Sequence, residues 1–351
     1  MKYLFLPALV FHILMVQAVK GQTSLPSPGE RGIHGLRFMF YNVENLFDPF
    51  DDTLKYDEDF TFEGTKHWSW RRMQHKCGNL ARVIIAAGGW EGVEMAGMCE
   101  VENPLAVRQL IRHPLLQPYG YRYVMTTSED RRGIDLVFLY RPEKVEVLHY
   151  RGIPVRDPVD TAWRTRDILY VQVLTLFSDT LHIFLNHWPS RRGGEEASAP
   201  KRALAAGTLR TFTDSLLSMN PEALILISGD FNDEPSDVSV QQILGALPPE
   251  QANPGSLVNL MWHMHRMGIG SHTYKETTGI SHHLIDQIIV SETMLHIGAP
   301  VSVGQATIVR FPFLLKEDAG GNEVLHRTYA GPQYLGGFSD HLPVTADLRL
   351  R

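Results

Sequence analysis

Two clusters, Asn42-Val43-Glu44 and Asp230-Phe231-Asn232, each set an amide and a carboxylate two residues apart after a run of apolar residues. Three similar junctions present a single carboxylate or imidazole, or both side by side: Glu100 after Met98-Cys99, His187 after Leu185-Asn186, and Asp340-His341 ahead of the C-terminal apolar run. Carboxylate and amide oxygens are hard ligands that suit Mg²⁺, Mn²⁺ or Ca²⁺ better than a softer metal. An imidazole held beside a carboxylate can take or give a proton near neutral pH. Gly, Asp and Asn are also ordinary turn formers, so a single junction reads equally well as a turn. Recurrence at five apolar-run ends is what argues for a site. Zinc is the rival metal, since the chain has 16 His, but no His-Glu-x-x-His or Cys-x-x-Cys pattern occurs, and His263 and His265 are too close in sequence to share a helical face.

The apolar runs ahead of these groups define the elements that must position them. The run Leu224-Ile225-Leu226-Ile227 is too short for a globular helix and reads as a strand buried on both faces. Asp230 then falls at its carboxyl end, where ligands collect in such sheets. Residues 36–42 read as an earlier strand ending at Asn42, and 94–99 as the strand that delivers Glu100. Between them Trp70, Met73, Cys77, Leu80, Ile84 and Ala87 recur at three- and four-residue steps, the pattern of a helix lying on a sheet. Pro104 suits the first turn of a second helix through Ile111. Strands are expected at 121–126 and 134–140, the latter holding Asp135, a carboxylate for which Arg131 and Arg132 are candidate partners. A further strand follows at 148–155, and 169–177 with 181–186 make a hairpin that ends at His187. A helix over 203–217 leads into the central strand. Beyond it the pattern predicts short helices at 238–244 and 257–267, and strands at 272–275 and 283–290 with Asp286 inside the second. His282-His283 reads as surface loop, 311–337 as a long Gly-rich polar excursion, and the chain closes in a strand to Leu350.

A chain of 351 residues with 44% hydrophobic and 21% charged residues can build a large core and carries no low-complexity tract. Its net charge of -6 gives no global basic field, so a polyanionic partner must be held by local Arg and Lys groups or by metal. Lys2 precedes an apolar run from Leu4 to Val19 that is interrupted by Pro7, His12 and Gln17, with Gly21 beyond it. Residues 1–21 therefore read as a secretory signal peptide, not a stable membrane span, and 22–35 as a Pro-, Ser- and Gly-rich linker. The mature chain is expected outside the cytoplasm, secreted or periplasmic, as a monomer. Cys77 and Cys99 could pair in such a compartment, but one falls on a helix and the other on a strand, and both read as small core residues. The acidic stretch from Asp48 to Glu63 reads as a solvated loop, since it lacks the ligand spacing and central Gly of a calcium loop.

In order along the chain, Tyr41-Asn42-Val43-Glu44, Cys99-Glu100, Asn186-His187-Trp188-Pro189, Gly229-Asp230-Phe231-Asn232, Leu284-Ile285-Asp286 and Ser339-Asp340-His341-Leu342-Pro343 resemble the motifs of the endonuclease/exonuclease/phosphatase superfamily. That family includes pancreatic-type deoxyribonucleases, exonuclease III-type AP endonucleases, bacterial sphingomyelinases and inositol polyphosphate 5-phosphatases. The likeness runs from about Leu36 to Leu350 and implies one domain over 36–351, an α/β fold in which two packed mixed sheets flanked by helices form a four-layer sandwich. Carried over by position, Glu100 is the chief metal ligand, supported by Asn42, Glu44 and Asp340. His341, oriented by Asp286, would hold the attacking water or its proton, while Asp230 and Asn232 position the water and the phosphate oxygens. The general base stays open between Asp230 and His341. His187 takes the place of the family's second histidine, at a phosphoryl oxygen or the leaving group. AP endonucleases carry a Tyr near that position, so the chain is closer to the deoxyribonuclease and phosphatase branches.

The resemblance implies a divalent-metal-dependent phosphoesterase, with Mg²⁺ expected and Mn²⁺ or Ca²⁺ as alternatives. The expected substrate is a phosphodiester of nucleic acid. A phosphatase or lipid phosphodiesterase acting on a phosphoinositide, sphingomyelin or small phosphoester is the alternative, and a catalytically silent binding module a third. Arg191 and Arg192, beside Gly193-Gly194, could clamp a substrate phosphate; solvated surface charge is the equal alternative.

Overall fold

The computed structural model describes residues 35–89, 91–276 and 279–351, with the side chains of 275–279 set aside; the signal-peptide and linker readings fall outside these but for Gly35. Two mixed sheets dominate. The first has six strands in the spatial order Val301–Ile308, Val344–Leu350, Gly35–Leu46, Met95–Val101, Asp135–Tyr140 and Arg122–Met125. The second has seven, in the order Val145–Ile153, Ile168–Thr175, Thr180–His187, Leu224–Asp230, Asp286–Ser291, Leu257–Asn259 and Ala246–Leu247.

The central strand shows why its sequence is apolar at every position. Side chains alternate across a strand, and here Leu224 and Leu226 join the core shared with Phe38, Phe40 and Leu185. Ile225 and Ile227 point the other way, into a second core with Ala205, Ala206 and Leu209 of the helix Glu195–Met219. The sheets meet closely at Gly97, where a Cβ would stand 2.6 Å from Leu185 Cδ2, so a side chain there would force them apart. The helix Trp70–Ala87 begins at Ser69, whose side chain accepts from the Arg72 N–H, and buries Met73, Cys77, Leu80, Ile84 and Ala87 of the face the spacing predicts, while Trp70 at its first position is 41% exposed. Among the described residues no helix is long and apolar enough to cross a membrane.

Several local expectations change. The helix expected at 203–217 runs Glu195–Met219 and contains Pro200 at its sixth position, where the ring forgoes one i→i−4 bond. The helix expected over 257–267 is only Trp262–Arg266, because Leu257–Asn259 instead pairs antiparallel with Ser291, Val290 and Ile289. A short apolar run carries no period that would tell these apart. The segment at 238–244 forms a π-helical turn, Ser239–Ile243, and 283–290 divides into Gly279–His283 and Asp286–Ser291. Asp135 is satisfied by Thr126 Oγ1 at 2.6 Å and the Ser128 amide at 3.0 Å, not by Arg131 or Arg132. The acidic stretch is not wholly solvated, for Asp48 and Asp57 are buried. Cys77 and Cys99 are both buried and unpaired.

Candidate active site

Irregular backbone at strand ends presents the acidic groups. The parallel pairing of Gly35–Leu46 with Met95–Val101 shifts register between Asn42 and Leu46, and the pairing of Met95–Val101 with Asp135–Tyr140 shifts between Cys99 and Val101. Bulges of this kind re-aim side chains next to active sites. Among the described residues six non-glycines adopt positive φ; three lie in the predicted motifs, Glu44 (49°), Glu100 (63°) and Asn232 (50°), and Asn45 (63°) directly follows the first. Such conformations cost energy and persist where surrounding structure enforces them. Here they turn Glu44 and Glu100 out of the sheet toward one rim.

The second sheet brings His187, Asp230 and Asp286 to that rim, and His341 meets them from the segment ahead of the last strand of the first. Asp230 is directly in register with His187 on one neighbouring strand and with Asp286 on the other. His341 Nδ1 lies 2.7 Å from Asp286 Oδ2, which also accepts from Ser271 Oγ at 2.6 Å. The Ser339 hydroxyl donates to the Asn42 carbonyl at 2.7 Å and accepts the His341 amide at 3.1 Å, tying the C-terminal motif to the first. Asn42 Nδ2 donates to Asp230 Oδ2 at 3.0 Å, and the Asn232 amide donates to Asp230 Oδ1 at 2.9 Å. His187 Nε2 stands 3.7 Å from Asp230 Oδ2 and 3.9 Å from Glu100 Oε1, and His341 Nε2 stands 3.9 Å from Asp230 Oδ2 and 4.0 Å from Asp340 Oδ1. Residues from 42 to 341 thus converge on one locus.

Burial and charge set opposite characters for the two imidazoles. Burial alone would push His341 down, but the charge and hydrogen bond of Asp286, with Asp230 and Asp340 behind, hold it well above the ordinary imidazole range. His187 is held well below that range by burial and by the nearby Arg166 and Arg132. Asp230 is pushed up to about 7, chiefly by burial, with Asp286 adding to the rise and His341 opposing it. Asp340 stays low because His341, His272, Arg327 and Lys76 together outweigh its desolvation.

A cleft of about 520 Å³ opens beside these groups, lined by Glu44, Glu100 and Asp340, by Lys66, Arg132, Arg192 and Arg327, and by aromatic side chains that include Tyr56, Phe60 and Tyr329. Arg192 lines it and Arg191 does not. The Arg191 guanidinium instead bonds the Asn232 carbonyl at 2.7 Å and pairs with Asp237 at 2.6 Å, Asp233 at 3.1 Å and Glu195 at 2.7 Å. Three contacts at or beside the cleft were not read from the sequence, which offered Arg132 only as a partner for Asp135. Arg327 bonds Glu44 Oε1 at 3.1 Å and Asp340 Oδ2 at 2.9 Å, yet it comes from the polar excursion, where no periodicity singles it out. Arg132 pairs with Glu100 at 3.6 Å and bonds Asn45 Oδ1 at 3.1 Å. His272 packs its ring 4.4 Å from that of His341.

Two packed mixed sheets with oxygen and imidazole groups gathered at one rim define the endonuclease/exonuclease/phosphatase class. The sequence pattern described as the Endonuclease/Exonuclease/phosphatase family matches residues 37–350, and the chain belongs to that family, a family of phosphoric ester hydrolases. Its fold is similar to that of D. rerio TDP2 complexed with single strand DNA product, at 16% identity over 90% of this chain and 98% of that one, with a TM-score of 0.55. A family protein from Bacteroides thetaiotaomicron is similar at 13% identity, with the same coverage of 90% and 98% and a TM-score of 0.55. The human Nocturnin catalytic domain with bound sulfate anion is similar at 15% identity, 90% and 95% coverage and a TM-score of 0.53. No curated protein sequence matches the chain.

Proposed function

We propose that this chain is an extracytoplasmic, Mg²⁺-dependent phosphodiesterase that hydrolyses nucleic acid. The observation that carries the reading is the make-up of the cleft: Lys66, Arg132, Arg192 and Arg327 beside Tyr56, Phe60 and Tyr329, opening onto Glu100 and Asp340. Cations that meet phosphates and aromatic faces that stack bases are the two components of single-strand recognition. The likeness to a TDP2 complexed with single strand DNA product agrees with it. The leader-like run from Leu4 to Val19 supports a site of action outside the cytoplasm.

The donor chemistry suits a hard divalent ion. Glu100, Asp340 and Glu44 offer carboxylate oxygens and Asn42 an amide oxygen, which accepts the Glu44 amide at 3.0 Å; Arg132 and Arg327 stand 3.6 Å and 2.9 Å from Glu100 and Asp340 as their present counter-ions. Among the described residues Glu44 and Glu100 belong to none of the triplets whose ligand atoms lie within 4.8 Å of one another, so holding an ion there would draw these carboxylates together. A bound ion would neutralise charge on the phosphoryl group as the bond is cleaved. The remaining work falls to the chain's own residues. Asp286 fixes the His341 ring so that Nε2 faces Asp230 Oδ2 across 3.9 Å, and an attacking water between them would meet both groups. His187, kept neutral, can accept or donate at the phosphoryl oxygens, and Asn232 and Arg192 orient the substrate.

One observation favours a second reading. Phe50, Leu54, Tyr56 and Phe62, on the segment that borders the cleft, are 59%, 87%, 64% and 66% exposed, as a surface that meets lipid would be. That would suit a lipid phosphodiester presented at a membrane. Assay of single-stranded DNA, RNA, bis-p-nitrophenyl phosphate and sphingomyelin vesicles with Mg²⁺ tests both. Turnover of DNA or RNA well above that of vesicles supports the proposal; turnover confined to vesicles replaces it with the second reading.

A further inference from the structure

We propose that His272, Asp340 and His341 form a second cation site that takes a borderline divalent ion such as Zn²⁺, shares Asp340 with the hard-ion site, and inhibits the enzyme when filled. The ligand atoms of the three residues all lie within 4.8 Å of one another. An isolated β-bridge between His272 and His341 holds the two backbones together, and the rings pack at 4.4 Å with a 42° tilt.

Each imidazole has one nitrogen anchored, as metal-binding histidines ordinarily do. His272 Nδ1 lies 2.7 Å from the Asp340 carbonyl, an acceptor only, so that nitrogen carries the proton and Nε2 keeps its lone pair. His341 Nδ1 is anchored to Asp286 at 2.7 Å, and its Nε2 stands 4.0 Å from Asp340 Oδ1. Two imidazoles and one carboxylate with a free fourth position form a donor set suited to Zn²⁺ or Co²⁺, whereas Mg²⁺ prefers the all-oxygen side at Glu100. Ligands around a tetrahedral ion at ~2.1 Å stand roughly 3.4 Å apart, so closing the site needs side-chain shifts of about 1 Å.

The other groups with suitable spacing are poorer. Asp230, Asp286 and His341 are already closed by the bond between Asp286 and His341, and Cys99, His187 and Asp230 are all buried. Filling the His272 site displaces the Nε2 proton of His341 and occupies that nitrogen, so the inhibitory part of the proposal rests on the phosphodiesterase reading, while the binding part does not.

The test uses the full mature chain, stripped with chelator, and the variant His272→Asn, whose side-chain amide can still donate to the Asp340 carbonyl but offers no imidazole ligand. Calorimetric titration with Zn²⁺ should show binding at least tenfold weaker in the variant, with the Mg²⁺-induced rise in melting temperature retained. Equal Zn²⁺ affinity in the two proteins overturns the site. Should the variant fail to fold, Co²⁺-loaded wild type decides: two paramagnetically shifted, exchangeable imidazole N–H resonances are expected, and one or none overturns it. With saturating Mg²⁺, Zn²⁺ should inhibit wild-type hydrolysis at concentrations at least tenfold lower than the variant requires. Absence of hydrolysis in every protein would defeat the phosphodiesterase reading and leave the binding result to judge the site.

Discussion

His341 Nδ1 and Asp286 Oδ2 are 2.7 Å apart and buried, and they come from different parts of the fold: Asp286 opens a strand of the second sheet, and His341 precedes the last strand of the first. The pair locks the two sheets at the catalytic rim and fixes which imidazole nitrogen faces the site. Replacing Asp286 with Asn keeps the shape but removes the charge. Asp286→Asn should lower kcat by ~10²–10⁴-fold, the usual weight of a positioned acid or base. A kcat within a few-fold of wild type would remove the pair from the reaction.

Asp230 gives a pH dependence of stability with a definite sign. Its carboxyl titrates near 7 in the fold against an ordinary 3.8, so the unfolded chain releases that proton first and stability declines as pH rises from about 4 to 7. His341, raised above 6.5, stabilises fully below that pH and loses its contribution as pH climbs through its folded value. Asp230→Asn abolishes the first effect. In chelator, the melting temperature of Asp230→Asn relative to wild type should therefore increase between pH 5 and 8; a constant or shrinking difference contradicts the burial argument.

The two adjacent arginines should separate cleanly. Arg191→Ala removes a guanidinium that joins Asp233, Asp237, Glu195 and the Asn232 carbonyl, and should destabilise the protein by ~1–3 kcal/mol in denaturant melts. Arg192→Ala should leave stability within ~0.5 kcal/mol and raise KM several-fold. Similar KM effects from both would show that the Arg191 network does not persist in solution.

Burial pushes the Cys77 thiol up to about 12 and also raises that of Cys99. Thiolate is the reactive form, so both should resist a thiol reagent in the native state and label only on unfolding. Melting should not respond to reductant. Rapid native labelling of either would contradict the packing described.

The legible parts of this molecule were those with a period or a positional rule. The helix Trp70–Ala87 showed its face in the spacing of Met73, Cys77, Leu80, Ile84 and Ala87, and the strand Leu224–Asp230 showed double burial in an unbroken apolar run. The acidic and imidazole groups could be seen because they sit at the ends of such runs. What stayed hidden depends on tertiary closure. Arg327 reaches Glu44 across 283 residues of chain, His272 meets His341 through a single bridge, and Arg191 is diverted from the cleft by carboxylates on a neighbouring loop.

The most direct test of the account is hydrolysis of single-stranded DNA by the protein in Mg²⁺, compared with Glu100→Gln and with wild type in excess chelator. Mg²⁺-dependent cleavage by wild type alone, with both controls reduced by at least ~10²-fold, is the predicted result. Cleavage that survives in chelator or in Glu100→Gln would contradict it.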